Sequence, residues 1–147
     1  MKRVIVSGYF NPLHGGHLDM IEAAKELGDY LIVVVNNDVQ QVQKKDRIIL
    51  DEENRSRLMG ALRYVDEVII SIDQDPTQIQ TLHHIADKYP EDELIFANGG
   101  DKDSEKAIPE GEVARERHIT LVFGVGSDDV IKRDSSTRIN QALGYDK

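Results

Sequence analysis

An α/β fold built on a mostly parallel sheet is what this sequence predicts, and three observations predict it. Strand-like and helix-like segments alternate from one end of the chain to the other. The strand-like runs are nearly continuous in Val, Ile and Leu, as in Leu31-Ile32-Val33-Val34-Val35, which suits strands covered by helices on both faces. No repeat, low-complexity linker or second unit interrupts the pattern. Residues 1–147 therefore read as one domain, long enough to bury a real core.

Strands are expected at 3–7, 30–35, 67–71, 94–97 and 120–123. Helices are expected between and after them, at about 17–27, 52–64, 76–88, 110–117 and 136–143. The first helix carries the inward stripe His17, Met20, Ala24, Leu27 and stops near Gly28. Asn36-Asn37-Asp38 then leads into a segment read as a mobile loop holding Lys44 and Lys45. The second helix places Arg55 at the head of a face shared with Leu58, Met59 and Leu62, while Arg57 lies far round and Arg63 off centre. Asp75 with Pro76 opens the third helix, because proline suits a first helical position. Residues 98–111 form the one long irregular stretch, and loops of that length are often functional. Ser135 caps the last helix and Gly144 ends it.

Composition narrows the function classes. A net charge of −9 argues against a general nucleic-acid or membrane-surface binder, whose affinity comes from basic patches. Yet six of the 18 cationic residues, Lys44, Lys45, Arg47, Arg55, Arg57 and Arg63, fall within 20 residues. A basic cluster on an acidic chain points to a small anionic ligand, against the plainer reading of a solvated charged face. The absence of cysteine excludes disulfides and thiolate zinc sites. No apolar run approaches the roughly 18 residues that span a bilayer, and the first apolar stretch is too short for a signal peptide. These features fit a cytoplasmic enzyme.

In open parallel sheets ligands bind beyond the carboxyl ends of the strands, so the residues following each strand matter most. After the first strand comes Gly8-Tyr9-Phe10-Asn11-Pro12-Leu13-His14-Gly15-Gly16-His17. Its glycines let backbone approach a ligand, and the start of a helix offers unpaired N–H groups to phosphate. Paired imidazoles there can donate to phosphoryl oxygens as charge develops. Two other readings stand beside this one: a turn whose histidines cap and pack, and a metal site lacking obvious further ligands. Lys44 and Lys45 read as a phosphate clamp or as solvated lysines. Arg55, at the mouth of an apolar face, needs a partner, either a carboxylate of the fold or a bound phosphate. Asn98-Gly99-Gly100-Asp101 reads as an ordinary turn or as a close approach to a base or sugar, with Asp101 accepting a hydrogen bond. Ser135-Ser136-Thr137 reads as a cap or as a second anion-binding helix start. His83, His84 and His118 carry no motif.

Taken together these segments resemble the cytidylyltransferase-like nucleotidyltransferases over nearly the whole chain. His14-Gly15-Gly16-His17 matches the HxGH signature, in a context formed by Gly8, Phe10 and Asn11. Glu53-Asn54-Arg55 followed by Arg63-Tyr64-Val65-Asp66 is similar to the family's arginine helix and the strand after it. Gly99-Gly100-Asp101 and Ser135-Ser136-Thr137 resemble its glycine-aspartate and hydroxyl motifs. The nearest branches are the glycerol-3-phosphate cytidylyltransferases and the adenylyltransferase domains that make ADP-heptose. The resemblance implies a single Rossmann-like, doubly wound sheet with helices on both faces, a homodimer, and a Mg2+-dependent reaction with Mg2+ delivered on the nucleotide rather than held by a protein metal site. The acceptor phosphate would attack the α-phosphorus of CTP or ATP and release pyrophosphate. His14 and His17 would stabilise the transition state, with Lys44 or Lys45 on the triphosphate or acceptor phosphate and Arg55 clamping phosphate. Gly8, Tyr9, Phe10, Gly16, Gly99, Asp101 and Ser135 would line the nucleotide, and Ser136 and Thr137 would meet its β and γ phosphates.

Two departures qualify the match. Asn11 stands where many members carry aspartate, and residues 128–133 lack the Arg-Thr-x-Gly lead-in of the alcohol-phosphate cytidylyltransferases. CTP is therefore not implied over ATP, and the acceptor stays open among polyol, sugar and alcohol phosphates. The rival readings are a catalytically silent nucleotide-binding regulator and a nicotinamide- or pantetheine-type adenylyltransferase. An evident nucleophile–base pair is not expected, because a phosphomonoester dianion is already a nucleophile.

Overall fold

The computed structural model of the protein describes residues 1–45, 47–99 and 108–126. Along the chain it has β1 (Lys2–Gly8), α1 (Gly15–Lys25), β2 (Tyr30–Val35), α2 (Asp38–Lys45) and α3 (Glu52–Gly60). These are followed by β3 (Glu67–Ile70), α4 (Ile79–Lys88), β4 (Glu93–Gly99), α5 (Gly111–Glu116) and β5 (Thr120–Val125). All strand pairs are parallel and the order is β3-β2-β1-β4-β5. The chain runs outward from β1 to β3, then returns to the other side of β1. Strand order thus reverses between β1 and β4, as in a Rossmann-like sheet.

Alternation along the central strands divides the core in two. Val4, Val6, Leu31, Val33 and Val35 pack on one face with Ile21 and Ala24 of α1 and Met59 of α3. Ile5, Ile32 and Val34 pack on the other with Leu82 and Ile85 of α4 and Val113 of α5. Each buried aliphatic side chain contributes roughly 1.5–3 kcal/mol relative to exposure, so this two-sided burial is the main support of the sheet. The predicted doubly wound sheet is the one observed, and the second strand has the predicted limits.

Several local expectations are corrected. The segment holding Lys44 and Lys45, expected as a mobile loop, is the helix α2. It has no apolar stripe to announce it, because its buried residues are Gln40 and Gln41. The third helix begins at Ile79, not at Pro76, and its N-cap Gln78 makes no side-chain cap. Asp73 reaches forward instead, accepting from the amides of Gln80 and Thr81 at 2.8 and 2.9 Å and from the Thr81 hydroxyl at 2.6 Å. α3 ends at Gly60 rather than near residue 64, and Leu58 turns outward, so the buried side of this helix is Arg55 and Met59. α1 stops at Lys25, ahead of Gly28, whose hydrogen is needed for close packing: a Cβ there would lie 2.7 Å from the carbonyl oxygen of Lys2. The last predicted helix, with Ser135, Ser136, Thr137 and Gly144, lies outside the described residues, as do Gly100 and Asp101.

Candidate active site

The residues after β1 build a stack of rings at the point where strand order reverses. Phe10 adopts φ 50, a left-handed conformation uncommon for a bulky residue, and folds its ring back beneath Gly8. A Cβ on Gly8 would come within 2.7 Å of Phe10 Cζ, so glycine is required there. The Phe10 ring stands edge-on to His17, with centroids 4.9 Å apart, and His17 stacks on His14 at 3.8 Å.

Backbone amides then orient the two imidazoles. The Gly16 amide donates to His14 Nδ1 at 3.1 Å, and the His14 amide donates to His17 Nδ1 at 3.2 Å. A nitrogen that accepts from an N–H cannot carry a proton toward it, so in both neutral rings the hydrogen resides on Nε2. The capping role and the donor role foreseen for these histidines thus use different nitrogens. Capping takes Nδ1, while the Nε2–H is the donor atom of each ring, near the amino end of α1, where the helix dipole favours an anion.

Arg55 is the other organiser. Its side chain is 0% exposed. Nε donates to the Leu50 carbonyl at 2.8 Å, and Nη1 to the carbonyls of Tyr9 and Asn36 at 2.8 and 2.7 Å. Nη2 pairs with Asp38 at 2.7 Å. Of the two partners open to Arg55 from sequence, the structure supplies the carboxylate. The guanidinium ties the end of β1, the end of β2, α2 and the approach to α3 into one unit. Asn11 acts alongside it, its buried Oδ1 accepting from the Ile49 and Leu50 amides at 3.0 and 2.9 Å. That task needs only an acceptor oxygen, which the asparagine amide supplies.

Half-buried Tyr9 lies between these parts. Burial pushes its hydroxyl up, the Arg55 charge works against this, and Glu110 adds to it. The ammonium of Lys44, on the exposed last turn of α2, sits 4.8 Å from the Tyr9 ring centroid. Gly8, Tyr9, Phe10, His14, Gly16, His17, Lys44 and Arg55 are therefore brought to one end of the sheet. Lys45 closes α2, and Gly99 closes β4 on the other side of β1, beyond an irregularity in its pairing with β5. Asp101, Ser135, Ser136 and Thr137 are outside the described residues. Sequence reasoning missed Asp38, Gln40, Gln41, Gln78 and Glu110. Only Asp38 left a signal, as an acidic residue at the carboxyl end of a strand when buried Arg55 needed a partner. Among the described residues no three His, Asp or Glu side chains gather to hold a metal ion. A cavity of about 290 Å³ near Tyr89, Asp92 and Arg117 lies at the opposite end of the sheet.

The cytidylyltransferase-like family model matches residues 5–142. The chain is 45% identical over 69 residues to glycerol-3-phosphate cytidylyltransferase of Bacillus subtilis, covering 47% of this chain and 54% of that protein. It is 32% identical over 139 residues to FAD synthase of Archaeoglobus profundus, covering 95% of this chain and 84% of that one. The chain spans about half the length of several curated relatives it matches. A lipopolysaccharide core biosynthesis protein from Thermoplasma volcanium superposes with a TM-score of 0.64 at 27% identity, over 91% of this chain and 99% of the other. No helix among the described residues is long and apolar enough to cross a membrane. By sequence match over nearly its full length and by fold, the chain belongs to the cytidylyltransferase-like family of nucleotidyltransferases.

Proposed function

We propose that this protein transfers a nucleotidyl group from a nucleoside triphosphate, CTP or ATP, to a small phosphomonoester and releases pyrophosphate. The observation that carries the reading is the histidine pair whose Nδ1 atoms are held by backbone amides at the carboxyl end of β1. An oxygen of the acceptor phosphate forms the new bond to the α-phosphorus, and the bond from that phosphorus to the bridging oxygen of the β-phosphate breaks. The electron pair leaves on pyrophosphate. Negative charge builds on the α-phosphoryl oxygens, and two Nε2–H donors fixed in advance stabilise it more than the ground state. Lys44 would neutralise phosphate charge, and Arg55 would act through the backbone it holds. Mg2+ enters with the triphosphate as part of the substrate.

The test is a pyrophosphate-release screen of CTP, ATP, UTP and GTP against a panel of phosphomonoesters, with and without chelator. Turnover by one pair, lost in excess chelator, supports the reading. No release from any pair overturns it. The full-length similarity to an FAD synthase favours a second version, with ATP as donor and FMN as acceptor, so FMN belongs in the panel. A homodimer and a cytoplasmic setting complete the proposal, and sedimentation of the purified protein checks the former.

A further inference from the structure

The buried guanidinium of Arg55 holds both the backbone of an aromatic residue and the helix that carries a lysine to its ring. Nη1 donates to the Tyr9 carbonyl at 2.8 Å, and Nη2 pairs at 2.7 Å with Asp38, the first residue of α2. Six residues beyond Asp38, about 9 Å along the helix, Lys44 brings its ammonium to 4.8 Å from the Tyr9 ring centroid. Ring and ammonium are thus anchored through one side chain and meet at the far end of α2.

Further contacts fix each half of the pair. The Asn36 amide donates to the Gly8 carbonyl at 2.9 Å, and Phe10 turns back at φ 50 beneath Gly8. The backbone on both sides of Tyr9 is therefore held, and its half-buried ring follows. On the other side, Gln40 anchors α2 by donating to the carbonyls of Asp75 and Thr77 at 2.7 and 2.9 Å. Lys44 itself lies on the exposed last turn, open to a ligand from solvent. Burial pushes the Tyr9 hydroxyl up, so it keeps its proton at neutral pH and the ring offers a face rather than a charge.

We propose that Tyr9 is a positioning residue, whose ring face holds the Lys44 ammonium in place before the nucleoside triphosphate arrives. The inference rests on the transfer reaction proposed above. A lysine loses much rotamer freedom when its end is fixed, and a ring that restricts it beforehand reduces the entropy lost on binding. The face attracts the charge without occupying all three ammonium donors, so N–H groups remain for a phosphate oxygen. A phosphate contact made alike in ground state and transition state acts on KM more than on kcat.

The experiment has two readouts, one of them independent of turnover. In ligand-free protein carrying isotope-labelled lysine, NMR should show the Lys44 ε-methylene protons upfield of the other lysines. That signal is the one missing from Lys44→Ala, and in Tyr9→Leu it should return to the ordinary position. Pyrophosphate release is then compared among wild type, Tyr9→Leu, Tyr9→Phe, Lys44→Ala and the Tyr9→Leu, Lys44→Ala double variant. Tyr9→Leu should raise the triphosphate KM about tenfold with little change in kcat. Tyr9→Phe should recover most of that loss, because a phenyl face also attracts a cation. Once Lys44 is alanine, the leucine should add almost nothing, the non-additivity of two residues acting through one contact. Should Tyr9→Leu fail to fold, Tyr9→Met serves the same comparison. An ordinary methylene shift in wild type, a Tyr9→Phe as impaired as Tyr9→Leu, or a leucine effect of full size without Lys44 overturns the positioning role and leaves the transfer reaction standing. A wild type that turns over no pair overturns the transfer reading itself, and this inference with it.

Discussion

Each imidazole at the start of α1 uses one nitrogen on a backbone amide, so substitution there has two separable consequences. Loss of Nδ1 removes a cap and should cost about 0.5–2 kcal/mol of stability. Loss of the Nε2–H removes a donor needed where charge develops. His14→Ala and His17→Ala should therefore lower kcat by roughly 100-fold or more, as losing one oxyanion donor does. Nucleotide Kd should change far less. Measured kcat, Kd and Tm for each variant separate these effects, and a stable variant with near-normal kcat would show that the histidines only cap and pack. Arg55 presents a different case, since its guanidinium is wholly buried and bonded to three carbonyls and a carboxylate. Lysine cannot reproduce that planar fork, and a broken buried ion pair costs about 3–5 kcal/mol. Arg55→Lys should thus melt well below wild type, whereas exposed Arg57→Lys should stay within about 0.5 kcal/mol. Equal melting of the two variants would contradict the strut assigned to Arg55.

At the level of elements, the short helix α2 shows where sequence and structure part. Eight residues with no apolar stripe would not hold a helix alone. Its stability comes from buried amides: Gln40 Oε1 accepts from Asn36 and Asn37, and Asn37 Nδ2 donates to the carbonyls of Ser71 and Asp73. Hydropathy reads such residues as loop, which is why α2 was not foreseen. The strands were legible because their Val and Ile runs have no other stable fate than a sheet covered on both faces. The histidine turn was legible because its glycines and ring types are unusual together. Arg55 could be recognised as buried from its helical phase, but its partners lie up to 46 residues away and no local pattern names them. The start of α4 was misplaced because Pro76 is a strong local signal, while the working cap, Asp73, acts from well before the helix. Asp73→Ala should consequently cost about 1–2 kcal/mol and lower Tm by several degrees. Asp75→Ala should be nearly silent, because among the described residues that exposed carboxylate bonds to the Thr77 amide and hydroxyl and caps no helix. Thermal melts of the pair decide between the two caps, and the reverse order would restore the Pro76 start.

Over the whole molecule the two ends of the sheet do different work. The carboxyl ends gather glycines and histidines for a ligand, while the amino ends carry a closed polar cluster. Arg3 lies over the rings of Tyr30 and Tyr89, at 4.3 and 3.7 Å, and binds Asp92 through Nε at 2.7 Å. Both tyrosine hydroxyls donate to Glu67 Oε1, at 3.0 and 2.5 Å, and Lys88 pairs with Oε2 at 2.6 Å. Burial pushes the Glu67 carboxyl up, but Lys88, Tyr89 and Tyr30 together hold it below the usual carboxylate range. Burial, with the hydrogen bond to Glu67, pushes the Tyr30 hydroxyl up to about 12. The signs follow by linkage. A carboxyl held low adds stability above its ordinary value of 4.5, and that contribution disappears as pH falls through the folded value. A phenol held high adds stability below its ordinary value of 10.0, and that contribution disappears as pH rises towards about 12. Tm should accordingly be highest between these limits and fall on both sides. Glu67→Gln should flatten the acid limb, and Tyr30→Phe the alkaline limb between roughly pH 10 and 12. Melting curves across pH for wild type and both variants supply the check, and limbs of unchanged slope would show that other groups govern the titration. Because the cluster sits at the far end of the strands from His14 and His17, Tyr30→Phe should leave kcat at neutral pH near wild type, so that stability and turnover move independently.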